Sequence, residues 1–174
     1  MVRYPRTHHC EICGKCVVRY DHHCAWLGCI GLHSLRHFYL TMVHITFVLF
    51  YLFVVVIRNC INLHHQPSFY LKTHMFVAVI LTNILVSTIV QIGYQTILIS
   101  VNASGVEFID LMKSFLETRQ IESKYYISLR QNWRDAFFVR DDLSLFWYFL
   151  PYTPTYRYFN RVNDIEMDSI ILDV

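Results

Sequence analysis

Four residues with the spacing Cys10-x2-Cys13, then His23, then Cys29 supply three thiolates and one imidazole, a donor set suited to tetrahedral zinc. They lie in a stretch from Arg3 to Phe38 that holds five of the six cysteines and six of the ten histidines of the 174-residue chain. Met1–Arg6 lacks the apolar core of a secretory signal, so clustered Cys and His favour metal over disulfides. Cys16 and His9 are left over from the first set and look like half of a second site whose other two ligands would lie upstream. A single zinc on Cys10, Cys13, Cys16 and one histidine, with Cys29 free, is the competing assignment. In either case metal binding would supply the folding energy of a polar unit that shows no helical or strand periodicity.

Cys24 is the cysteine not assigned to metal, and Asp21 and His22 sit just before it. A free thiol is only a few per cent thiolate at neutral pH, and an imidazole oriented by a carboxylate raises that fraction. The expected roles are Asp21 orienting, His22 taking the proton and Cys24 attacking. Neighbouring side chains in a turn point different ways, so His23 can face a metal while His22 faces solvent and Cys24. On the residues alone, Cys24 as a further zinc ligand is an equally good account.

The elements that must position this chemistry are apolar. The composition is 55% hydrophobic and 16% charged, with mean hydropathy +0.33, which excludes an ordinary soluble domain. Phe38–Ile57 is twenty residues without a formal charge and is expected to cross a membrane as a helix. Within it His44 fits an interfacial position better than a functional one. Residues 58–74 form a polar connection expected on the far side, in which His64, His65 and His74 suit a solvated loop more than a metal site. Met75 to about Val101 is the second span. There Asn83, Ser87, Gln91 and Gln95 recur every four residues as one polar stripe that calls for helix partners rather than lipid.

Residues 102–174 form the tail. Apolar positions from Val106 to Leu116 recur at helical spacing, and Phe146–Tyr152 is an aromatic cluster suited to a membrane interface. Residues after Arg161 are acidic and expected to be loosely ordered. Lys and Arg concentrate before residue 38 and after residue 101, which puts both ends in the cytoplasm. The formal charge of +2 and the lack of a basic patch interleaved with aromatics set nucleic acid aside as a partner.

The run Arg6-Thr7-His8-His9-Cys10-Glu11-Ile12-Cys13-Gly14-Lys15-Cys16, followed by Asp21-His22-His23-Cys24, Trp26, Cys29 and Gly31, resembles the DHHC cysteine-rich domain of protein S-acyltransferases (palmitoyltransferases). The resemblance implies Cys24 as the residue that accepts a fatty acyl group from palmitoyl-CoA or another long-chain acyl-CoA, with Asp21 and His22 as its activating pair. It implies two structural zincs, with Cys10, Cys13, His23 and Cys29 on one and His9 and Cys16 on the other. Membrane-associated proteins with cytosolic cysteines would be the acyl acceptors. The two spans resemble the third and fourth of the family's four helices, around a cavity for the acyl chain. Ser104-Gly105-Val106-Glu107 resembles the Thr-Thr-x-Glu element after the last helix, with Glu107 the matching residue, and Asn132-Trp133 resembles a segment of the family's tails. Ala25 stands where proline is usual, Gly28 where asparagine is common, and the interval from Cys24 to Cys29 is one residue shorter than the family's.

The expected architecture is an α-helical membrane protein. An irregular N-terminal zinc-binding domain over residues 1–37 precedes two transmembrane helices and a cytosolic tail, in an endomembrane (Golgi or ER) or plasma membrane. The rival expectation is a membrane-tethered zinc module that binds partners without turnover, inactive or truncated.

Overall fold

The computed structural model describes residues 6–62, 68–118 and 123–137. The element order is β1 (His8–Cys10), β2 (Lys15–Val17), β3 (His22–Cys24), β4 (Gly28–Ile30), α1 (Leu35–Asn62), α2 (Ser68–Ser100), α3 (Gly105–Thr118) and α4 (Leu129–Phe137). Two compact units result. One comprises Met1–Phe38 with Thr96–Val174, and the other Tyr39–Gln95.

The first unit opens with two antiparallel hairpins, β1 with β2 and β3 with β4. Each strand is three residues long, too short to leave a legible alternation in the sequence. The residues after β2 and β4 are tied by the Leu32 N–H, which donates to the Val18 carbonyl at 3.0 Å, and Asp21 N–H donates to the Ile30 carbonyl at 2.9 Å, extending the β3–β4 hairpin. Ser34 carries the lacing into α1. Its hydroxyl accepts from Gly31 N–H and donates to the Cys29 carbonyl, both at 3.0 Å, while its own carbonyl accepts the first helical bond from Phe38 N–H.

The end of α2 in this unit is closed by its sequence. Asn102 takes φ 52°, Ala103 N–H donates to the Leu98 carbonyl and Asn102 N–H to the Ile99 carbonyl, the paired bonds of a Schellman stop. Asn is one of the few side chains that tolerates this left-handed turn. Two residues later Ser104 starts α3 with a capping box: Glu107 Oε2 accepts from Ser104 N–H at 2.8 Å and Ser104 Oγ from Glu107 N–H at 3.4 Å. α4 is capped by Ser128, whose carbonyl accepts from Asn132 N–H and whose hydroxyl accepts from Gln131 N–H. From α4 the fully buried Asn132 donates to the Ser100 carbonyl at 2.7 Å, and Trp133 Nε1 donates to Ser100 Oγ at 3.1 Å. A carbonyl that the end of α2 would leave orphaned is satisfied in this way. Ile30, Leu98, Ile99, Ala136 and Phe137 are among the most buried side chains of this unit.

The second unit contains the apolar stretches of α1 and α2. The helices run for 28 and 33 residues, about 42 and 50 Å at 1.5 Å per residue, and both are apolar and long enough to cross a membrane. α1 contains the expected span Phe38–Ile57 and continues to Asn62; α2 begins seven residues before Met75. Cys60 and His74 therefore sit in helix rather than in a connecting loop, while His64 and His65 lie outside the described residues. Polar side chains on these helices turn back on their own backbone. His44 Nδ1 donates to the Leu40 carbonyl at 2.6 Å, Thr46 Oγ1 to the Met42 carbonyl, Thr82 Oγ1 to the Ala78 carbonyl and Asn83 Nδ2 to the Val79 carbonyl. Bonds of this kind lower the cost of a polar group in hydrocarbon. They account for His44 and for one member of the expected polar stripe without invoking a site. At the other end of that stripe, Gln95 is buried. The aromatic cluster Phe146–Tyr152 and the acidic end of the chain lie outside the described residues.

Candidate acyl-transfer and metal site

The two hairpins bring one face of each toward a common point. In β3–β4, His23 is directly opposite Cys29, so their side chains leave on the same side; in β1–β2, Cys10 ends the strand and Cys13 lies in the turn that Gly14 N–H closes on the Cys10 carbonyl at 2.8 Å. The Sγ atoms of Cys10, Cys13 and Cys29 stand 3.5, 3.4 and 3.9 Å from His23 Nδ1. All four donor atoms lie within 4.8 Å of one another. Around a tetrahedral zinc with Zn–S of about 2.3 Å and Zn–N of about 2.0 Å, sulfur and nitrogen are separated by about 3.5 Å. The donor set and its spacing fit a structural metal ion.

The thiols behave as a group that wants a cation. The main-chain N–H of Cys13 draws the Cys10 thiol down to about 6, against a smaller opposing effect of burial. The Cys29 thiol is pushed up to about 12 by its bond to Cys13, by burial and by the negative charge of Cys10. Thiolates packed this closely without a cation cannot all ionise. A divalent ion removes that repulsion.

The shortened interval from Cys24 to Cys29 is taken up in the turn. Cys24 pairs with Gly28, three residues close the loop, and Gly28 takes φ 78°, a left-handed angle that glycine adopts freely and asparagine tolerates. Cys29 keeps its place in the cluster. His9 and Cys16 face each other across β1–β2 with Nδ1 and Sγ 3.7 Å apart, on a part of the hairpin separate from the four-residue cluster. Cys16 is thus not a member of the cluster, against the competing single-zinc set. All six cysteines are free.

Strand alternation sorts the Asp21–Cys24 segment. His23 turns to the four-residue cluster, so His22 and Cys24 project from the opposite face of β3. Asp21 is buried, and its Oδ2 accepts from His22 Nδ1 at 2.6 Å. That bond fixes the tautomer, leaving His22 Nε2 as the basic nitrogen. The ring of His22 stands edge-on to Phe38 at 5.1 Å, which holds its plane, and about a third of the side chain stays exposed. The other Asp21 oxygen, Oδ1, accepts from the main-chain N–H of Gly105 at 2.5 Å. Cys24 itself is half-buried. Beyond it Trp26, at the hairpin tip, is 92% exposed.

A second network fastens α3 to the hairpins. Arg6 Nε and Nη2 each reach a Glu107 oxygen at 2.7 Å, and Arg6 also donates to the Asn102 side chain and carbonyl at 3.2 and 3.1 Å. Arg19 Nη2 donates to Asn102 Oδ1 at 2.8 Å, and Asn102 Nδ2 to the Tyr125 carbonyl at 2.7 Å. The Arg6 guanidinium lies 4.2 Å over the Tyr125 ring. Burial works to raise the Glu107 carboxyl, but the bonds and charge of Arg6, with the Ser104 N–H, hold it below the usual carboxylate range. The sequence marks Glu107 only through its resemblance to a family element. It offers no signal for Arg19 or Asn102 as supports, because their partners are 83 residues apart in the chain.

Residues 1–112 match the family model described as DHHC palmitoyltransferase. The chain is similar to palmitoyltransferase ZDHHC18 of Homo sapiens, 40% identical over 74 residues, which is 42% of this chain and 19% of that protein. It is also similar to palmitoyltransferase ZDHHC14 of Homo sapiens, 40% identical over 68 residues, covering 38% of this chain and 14% of the relative. With palmitoyltransferase ZDHHC9 of Danio rerio it shares 32% identity over 130 residues, 71% of this chain and 33% of the relative. The chain thus spans a third or less of the length of these relatives. A match to the family model over more than half of its residues, on the segment that carries the Cys/His cluster and the Asp21–His22 pair, makes this chain a member of the DHHC palmitoyltransferase family.

Proposed function

We propose that this chain carries the acyl-transfer centre of a protein-cysteine S-palmitoyltransferase, with Cys24 as nucleophile, His22 as general base and Asp21 as the group that orients it. The observation that carries the reading is the Asp21–His22 pair, a buried carboxylate 2.6 Å from Nδ1 of a partly exposed imidazole that shares a strand face with Cys24. Carboxylate, base and nucleophile in that order are what a thiol needs for activation at neutral pH.

The reaction runs in two halves. His22 Nε2 takes the Cys24 proton, and the Cys24 thiolate attacks the carbonyl carbon of a palmitoyl or similar long-chain thioester. The carbon–sulfur bond to coenzyme A breaks, CoA leaves with the proton returned by His22, and an acyl thioester remains on Cys24. In the second half His22 takes the proton of a substrate cysteine, whose thiolate attacks that thioester; the acyl–sulfur bond to Cys24 breaks, a new thioester forms on the substrate, and His22 returns that proton to Cys24.

Cys10, Cys13, His23 and Cys29 would hold a structural zinc, and His9 with Cys16 half of a second. Bound there, zinc supplies a rigid cross-link between the two hairpins. The topology has α1 and α2 crossing an endomembrane or plasma membrane, with the hairpins and tail on the cytosolic side. The weighting of Lys and Arg toward both ends supports that orientation. Acceptors would be membrane-associated proteins with cysteines near the cytosolic face.

A zinc module without turnover is the second reading, favoured by one observation: the four-residue cluster forms without Cys24. Kinetics separate the two. Initial rates of transfer to a membrane-anchored peptide bearing one cysteine, at several concentrations of palmitoyl-CoA, should give parallel double-reciprocal lines. Intersecting lines would contradict an acyl-enzyme, and no transfer would favour the module.

A further inference from the structure

We propose that residues 124–130, which lead from Ser123 into α4, form a docking surface for the headgroup layer of an anionic lipid leaflet; the proposal rests on the reading above that α2 crosses a membrane. Three side chains of this segment are large, apolar and open to the surroundings: Tyr126, Ile127 and Leu129 are 54%, 62% and 56% exposed. Three such residues within four positions mark a contact surface rather than a solvated loop.

The place of the segment selects lipid as the occupant. Ile127 N–H donates to Asn132 Oδ1 at 3.3 Å, and the nitrogen of the same amide donates to the Ser100 carbonyl at 2.7 Å. Ile127 is therefore one side-chain amide away from the last residue of α2. The 33 residues of α2 span about 50 Å, more than the ~30 Å hydrocarbon core and a little more than the 40–45 Å of a bilayer with its headgroups, so the end at Ser100 stands at headgroup depth. The main chain suits a place where water is scarce. Tyr125 N–H donates to Ser123 Oγ at 3.3 Å, Tyr126 N–H to the Ser123 carbonyl at 3.1 Å and Gln131 N–H to Ser128 Oγ at 3.2 Å, so these donors, like that of Ile127, are satisfied locally. The charges suit anionic headgroups: Lys124 and Arg130, both exposed, bracket the apolar residues, and no acidic residue lies between them. Tyr126 adds an aromatic ring with a polar tip, a side chain that the interface favours.

The test uses the full chain in phosphatidylcholine vesicles with and without phosphatidylserine. In separate preparations a fluorescent amino acid replaces Ile127, Leu129 or, near the middle of α2, Val86. Each probe is quenched by iodide from the water and by phosphatidylcholine carrying a nitroxide either high on an acyl chain or near its end. At 127 and 129 the shallow nitroxide should quench more than the deep one, and iodide should quench little; at 86 the deep nitroxide should quench most. Lys124→Ala and Arg130→Ala should each lower the ratio of lipid-quenched to iodide-quenched probe in phosphatidylserine vesicles by about fivefold, the usual worth of one basic residue at an anionic surface, and leave it unchanged in phosphatidylcholine alone. Probes at 127 and 129 that iodide quenches and lipid does not would overturn the proposal. Shielding from both quenchers would overturn it too, since protein would then cover the patch, as would charge variants that match wild type in phosphatidylserine vesicles. A probe at 86 that the deep nitroxide fails to quench would overturn the membrane-crossing reading instead, and the signals at 127 and 129 would still decide whether the segment meets lipid.

Discussion

Arg6 grips Glu107 with two arms of its guanidinium, Nε and Nη2 each 2.7 Å from a separate carboxylate oxygen, across 101 residues of chain. This fork joins the segment before β1 to the first turn of α3, and the same turn presents Gly105 to Asp21. Fork-to-fork pairs combine charge with fixed geometry, which a lysine cannot reproduce.

Glu107→Gln should therefore lower stability by about 2–3 kcal/mol, the usual worth of hydrogen bonds to a charged group, and Arg6→Lys should recover little of the loss caused by Arg6→Ala. Thermal unfolding in detergent at neutral pH checks both. The pH dependence has a definite sign. The Glu107 carboxyl is held below its ordinary 4.5, so its contribution is fully present above that value and is lost as pH falls through its folded value. The gap between wild type and Glu107→Gln should be constant above about 4.5 and close below it. A gap that widens on acidification would contradict the ion-pair account.

Replacing Cys29 with serine should release the metal from the four-residue cluster, whereas Cys16→Ser should leave that ion in place. Zinc stoichiometry measured on purified variants distinguishes this set from one built on Cys16. Affinity should also fall as pH falls, because the ion must displace protons from the thiols, the Cys29 thiol above all. Pulse titration with a chelator at two pH values reads that slope.

Gly28 bears the shortened loop. With φ at 78°, Gly28→Ala should cost about 1–2 kcal/mol and weaken zinc retention, while Gly28→Asn should cost less. Equal effects of the two substitutions would mean that the left-handed angle is not what this position supplies.

Asn132 is fully buried and spends its amide on the Ser100 carbonyl and the Ile127 N–H. Asn132→Ala leaves the Ser100 carbonyl without this partner inside the unit, a loss of about 1–3 kcal/mol. Hydrogen exchange should then rise at the C-terminal turn of α2 and in α4, with α3 less affected.

How much of this was legible in the chain depended on sequence distance. Cys10-x2-Cys13 with His23 and Cys29 could be picked out because metal ligands in a small hairpin unit must be close in sequence. α1 and α2 were evident from twenty or more apolar residues, although their ends were not: polar caps such as Asn59, Asn62 and Ser68 continue a helix as readily as they break it. The strands went unseen because three residues carry too little alternation. Arg6 with Glu107, Arg19 with Asn102, and Asp21 with Gly105 were invisible for a different reason. Each pair is 83 to 101 residues apart, and nothing local to either member specifies its partner. The Asn102 turn shows the same limit, since asparagine after an apolar helix marks a stop without saying that its side chain will organise two arginines.

The most direct measurement is autoacylation of the membrane-embedded chain with labelled palmitoyl-CoA, comparing wild type with Cys24→Ser and testing release by hydroxylamine. The expected result is a hydroxylamine-labile label on wild type that disappears in Cys24→Ser while bound zinc is unchanged. A wild-type chain that holds its zinc and takes no label, or a label that survives Cys24→Ser, would contradict the assignment of Cys24 as the acyl-accepting nucleophile.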